Sequence, residues 1–67
     1  MSIAKVIEVL AEGSSVDEAV QNAVSQASRT LDGIKAVYVK DIQGVVWNET
    51  FMRYQVNAKL ILVVSGI

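Results

Sequence analysis

The alternation near the end of the chain constrains the fold most. From Met52 the even positions run Met52, Tyr54, Val56, Ala58, Leu60, Leu62 and Val64, while the odd positions from Phe51 run Phe51, Arg53, Gln55, Asn57 and Lys59. One side of this segment is wholly apolar and the other largely polar, the period-2 pattern of a half-buried β-strand. The preceding segment, Ile34 to Trp47, is rich in Val, Ile, Tyr and Trp, and Trp47-Asn48-Glu49-Thr50 makes a tip, so Ile34 to Val64 reads as one long β-hairpin. An arm of about 13 residues at roughly 3.4 Å per residue spans about 44 Å. A compact domain of 67 residues has a radius of gyration of about 11 Å, hence a diameter near about 30 Å. Strands that overshoot their own body need cover, and a second copy of the chain is the simplest source. A homo-oligomer is expected.

The rest of the chain supplies one strand and one helix. Lys5 to Ala11 is predicted as a strand, with Ile7 and Val9 on one side and Val6, Glu8 and Leu10 on the other, ended by Gly13-Ser14. Ser15 suits a helix N-cap, with Glu18 three residues on to complete a capping box. Val16, Ala19, Val20, Ala23, Val24, Ala27 and Leu31 recur at helical spacing, and Gly33 suits a left-handed C-cap. A stripe of Ala and Val lets the helix lie close on the even side of the last strand. The order is β-α-β-β. The crossover favours parallel first and second strands, so the last strand belongs between them, antiparallel to both. The expected fold is α+β: a three-stranded antiparallel sheet wrapped around one helix, in a single domain spanning residues 1–67.

Composition removes most chemistries. There is no histidine and no cysteine, which excludes Ser-His and Cys-His nucleophiles and most zinc, haem and iron–sulfur ligation. The glycines (Gly13, Gly33, Gly44, Gly66) are isolated, so no phosphate-cradling loop is present. The seven acidic residues are scattered without EF-hand spacing, although copies of one carboxylate could converge on a cation across a symmetry axis. No enzyme is expected. Six basic residues without a run leave no electrostatic footprint for nucleic acid or an anionic membrane. The longest apolar run, Leu60 to Val64, is too short for a bilayer, and no signal peptide is recognisable, so the expected location is cytoplasmic. A hydrophobic content of 52% in so small a body again favours subunit interfaces.

What remains is the uncovered side of the sheet, where Arg53, Gln55, Asn57 and Lys59 alternate. With a two-residue Asn48-Glu49 loop, Ala36 faces Ile61, Tyr38 faces Lys59, Lys40 faces Asn57 and Ile42 faces Gln55, unless a bulge at Gly44 shifts the register. Such a row is either an interface or lumen surface, or a small-molecule site in which amides read hydrogen-bond edges and Tyr38 offers a stacking face.

The stretches KVIEVLAEGSSVDEAVQNAVSQASRTLDGIKAVYVKDI and RYQVNAKLILVV, with the acidic turn Asp32-Gly33-Ile34 and Tyr54-Gln55 on the last strand, resemble the dodecin family over nearly the whole chain. The resemblance implies a β-α-β-β subunit, a hollow spherical homododecamer, and non-enzymatic binding and storage of a flavin (FMN or riboflavin) in pairs between symmetry-related tryptophans. Some bacterial members also hold coenzyme A. It implies that Gln55 hydrogen-bonds the isoalloxazine edge and that the stacking tryptophan falls at the fourth residue after Asp32. This sequence has Ala36 there. Family members lacking that tryptophan include non-flavin binders, one subgroup being associated with calcium, so the alternative is a shell for cations, another ligand, or structure alone. Tyr38, two residues on along the same strand face, is the nearest replacement aromatic. Trp47 falls on the opposite face unless Gly44 carries a bulge, and its other reading is an anchor packed into a neighbouring subunit.

Overall fold

The computed structural model describes residues 2–65. The order is β1 (Ser2–Gly13), α1 (Val16–Ala27), β2 (Ile34–Trp47) and β3 (Thr50–Ser65). The three strands form one sheet in the order β1-β3-β2, with β3 antiparallel to both neighbours. This is the expected arrangement, with the most apolar strand in the middle. β1 runs further at both ends than its own pattern predicts, because β3 pairs with it without interruption from Ser2↔Ser65 to Gly13↔Tyr54.

The even residues of β3 make the core. Val56, Ala58, Leu60 and Leu62 are buried beneath the helix, against Ala19 and Ala23 of α1. Two alanines at the helix contact allow the close approach that the small-residue stripe predicts. The helix begins as its sequence demands: the Ser15 hydroxyl accepts from the Glu18 backbone N–H at 3.0 Å. The Glu18 carboxylate, however, reaches back to the N–H and hydroxyl of Ser14, at 2.9 and 3.1 Å, rather than to Ser15. α1 also ends earlier than the stripe suggests. After Ala27 the bonds tighten, Arg29 N–H to Gln26 and Thr30 N–H to Ala27, and the chain unwinds. Gly33 is therefore no helix cap. Its φ of 82° carries the chain into β2, where its carbonyl accepts from Val63 N–H at 2.9 Å.

The hairpin closes on Asn48 and Glu49, with φ of 51° and 60°, the positive values that a two-residue turn matching strand twist requires. Its register is the main departure. Ala36↔Ile61 and Tyr38↔Lys59 pair as expected, but Lys40 is an extra residue on β2, so Asn57 faces Asp41 and Gln55 faces Gln43. A second extra residue, Met52 on β3, restores the original register at Val46↔Phe51. A further irregularity falls at Lys35, while Gly44, the expected bulge, pairs regularly with Tyr54.

The body is long. Its principal extents are 53 × 20 × 14 Å and its radius of gyration 13.9 Å, against about 11 Å for a compact chain of this length. The helix of 12 residues covers about 18 Å at 1.5 Å rise per residue. Past it, the apolar side of the sheet continues uncovered through Ile42, Val46 and Phe51, the last two 62% and 51% exposed. The Phe51 and Tyr54 rings meet edge to face there, 4.9 Å apart.

Two backbone positions predict opposite effects. A Cβ on Gly33 would lie 2.5 Å from the Val63 carbonyl oxygen, so Gly33→Ala is expected to cost about 1–3 kcal/mol. Glu49→Gly relieves a side chain at positive φ and is expected to gain about 0.5 kcal/mol. Urea unfolding at fixed chain concentration checks both; equal and small shifts would contradict the turn geometry.

Candidate functional site

The side of the sheet away from α1 is built in cross-strand rows, because residues paired across an antiparallel ladder share a face. From the core end toward the hairpin tip the rows are Val6–Ile61–Ala36, Glu8–Lys59–Tyr38, Leu10–Asn57–Asp41 and Glu12–Gln55–Gln43. Val45 beside Arg53, then Trp47 beside Thr50, complete it. The expected polar row of β3 is thus present, flanked by acidic residues of β1.

Those acids organise the cations. Arg53 Nε donates to Glu12 Oε1 at 2.9 Å, and Gln55 Nε2 donates to Glu12 Oε2 at 3.3 Å. Lys40, displaced by its bulge, reaches across β3 to Glu8 at 3.5 Å. All four ion-pair side chains are about half-exposed. A hydrogen bond from Asn57, and then the positive charge of Lys40, hold the Glu8 carboxyl below its ordinary pKa. Among the described residues no donor reaches the buried Asn57 Oδ1.

Between the third and fourth rows lies a depression of about 270 Å³, lined by Leu10, Asp41, Ile42, Gln43, Gln55 and Asn57. A larger hollow of about 650 Å³ follows the flank between α1 and β1. It is lined by Val9, Ala23, Ala27 and Leu31 among others, and its Asn22 amide is spent on the Glu12 carbonyl at 2.8 Å. Gln26 is the other amide of that hollow, whereas three amides, Gln43, Gln55 and Asn57, line the smaller one. Among the described residues no three carboxylates gather as a metal site, and no helix is long and apolar enough to cross a membrane.

The three residues singled out from sequence share this face but not one spot. Gln55 lies in the depression. Tyr38 stands four steps along the ladder, about 14 Å away, and Ala36 six steps, about 20 Å away. Ala36 lies in an apolar row with Val6 and Ile61. Glu8, Glu12 and Gln43 were not legible as site residues, since their places depend on the β1 register and on the Lys40 bulge. That bulge also reverses the face of Trp47, which joins the polar side and is 75% exposed.

The family model for Dodecin matches residues 3–65. The chain is a member of the dodecin family. Among solved structures it is similar to dodecin from Streptomyces coelicolor, with 30% identity over 98% of this chain and 96% of that one, at a TM-score of 0.89. The tt0972 protein from Thermus thermophilus superposes with a TM-score of 0.90 at 22% identity, both chains being covered completely. Dodecin from Streptomyces davaonensis gives 0.88 at 21% identity over 97% of each chain. The last two likenesses show the dodecin fold alone. No curated protein sequence matches.

The Glu8 contacts predict a pH dependence. A carboxyl whose pKa is lowered by folding adds stability that is complete above its ordinary, unfolded value and is lost as pH falls through the lowered folded value. Glu8→Gln is expected to lower the melting temperature near neutral pH and to converge with the parent in acid. Parallel curves down to the acid limb would show that the contacts are not formed in solution.

Proposed function

We infer that this dodecin is a non-catalytic, homo-oligomeric shell that binds a planar heteroaromatic ligand of the flavin kind on the open side of its sheet. The observation that carries the ligand proposal is the Glu12–Gln55–Gln43 row at the edge of the depression. Glu12 fixes one N–H of Gln55, which orients its amide, and Gln43 presents a second amide opposite. Paired amides can meet an imide-like ring edge donor to acceptor and acceptor to donor. Family membership supports the same class of ligand.

Oligomerisation follows from the uncovered length. Both sides of the sheet expose apolar residues, Val6 and Leu10 on one and Ile42, Val46 and Phe51 on the other. A lone subunit would leave them in water. Ala36 could meet the ring held by Gln55 only from a second copy, across a symmetry axis, and would offer it no stacking surface. A dodecamer is the count the family suggests.

Riboflavin or FMN titrated with the protein is expected to lose fluorescence, and Gln55→Leu to weaken binding about tenfold by removing the edge contact. Full flavin fluorescence in protein excess would reject the ligand. For the shell, light scattering should give a multiple of the subunit mass. A lone folded subunit at micromolar concentration would reject it.

A further inference from the structure

We propose that Trp47 is the stacking platform for the ring whose edge Gln43 and Gln55 read. The proposal rests on the planar-ligand reading and assigns the aromatic surface that Ala36 lacks.

Three observations place it there. The Lys40 bulge puts Trp47, Val45 and Gln43 in line on one side of β2, the side that carries Gln55. Trp47 is 75% exposed, so its indole is spent on no contact that buries it within the subunit. The third observation concerns what lies between. Arg53 pairs with Val45 across the ladder, but its guanidinium is bonded to Glu12 on β1, the strand on the far side of β3. It is drawn away from β2. The lane from Trp47 over the half-buried Val45 to the Gln43 amide is left with an apolar floor, an aromatic end and a hydrogen-bonding end. Such a lane suits a flat ring with one polar edge.

Tyr38, on the other side of Gln55 at a similar distance, is less well placed. Asp41 and the Lys40–Glu8 ion pair, which crosses the whole sheet, stand between it and the amides. A ring stacked on Tyr38 would have to break that pair to reach Gln55 within the subunit. No such obstacle separates Trp47 from Gln43.

Trp47 is the only tryptophan in the chain, so its emission is a site-specific reporter. Riboflavin is titrated into the intact protein while indole emission and flavin fluorescence are followed together. The expected result is saturable quenching of both with one Kd. Trp47→Ala should raise that Kd about tenfold or more, and Trp47→Phe should recover part of the loss. The mass in solution should not change. If riboflavin binds the parent and Trp47→Ala leaves the Kd within about twofold, the platform is elsewhere and the flavin proposal stands. Indole emission that ignores saturating riboflavin overturns the assignment without any variant, as does an assembly that dissociates on Trp47→Phe. No binding by the parent overturns both proposals.

Discussion

A mismatch of lengths governs this molecule. The sheet is as long as β3, whose 16 residues at roughly 3.4 Å match the 53 Å long axis. The one helix is about a third of that. Burial is accordingly concentrated where α1 lies, on Val56, Ala58, Leu60 and Leu62, and it fades toward the hairpin tip. The core is small enough that the subunit depends on its backbone ladder for shape, and much of its apolar surface lies open. The helix starts beside the Gly13–Tyr54 end of the ladder and runs back toward Gly33 and Val63, away from the hairpin tip, so the apolar side of the distal arm stays uncovered.

The polar side obeys a different rule. Its charges are arranged across strands rather than along them: Lys40 of β2 meets Glu8 of β1, and Arg53 of β3 meets Glu12 of β1. Exposed pairs of this kind add little stability each. Their effect is on position: the Arg53–Glu12 pair draws the guanidinium to the β1 edge, clear of Gln43, Val45 and Trp47 on β2, while the Lys40–Glu8 pair crosses the sheet beside Tyr38.

Much of this was legible in the sequence. The even positions of β3 contained its four core residues, although Met52 and Val64 of the same run are exposed; the two-residue turn was placed correctly, and strand order followed from the crossover preference. The candidate site was less legible. Gln55 could be found by alternation alone, but its neighbours could not, because alternation fixes a face only until the first extra residue. Nothing about Lys40 or Met52 marks a bulge, and the glycine that suggested one is regular. Glu8 and Glu12 needed the β1–β3 register, which no turn sets, since that pairing is joined through the helix and β2.

The bulges at Lys40 and Met52 lie on opposite strands and cancel, so strand ends on either side of them meet as if neither existed. The five ladder pairs in between, Asp41↔Asn57 to Val45↔Arg53, are a cassette offset by one residue. The consequence is modular: which side chains the distal arm turns toward either surface is decided locally, independently of the packed end. Related chains could gain or lose such a compensating pair and exchange the chemistry of their two surfaces there while keeping the same interior.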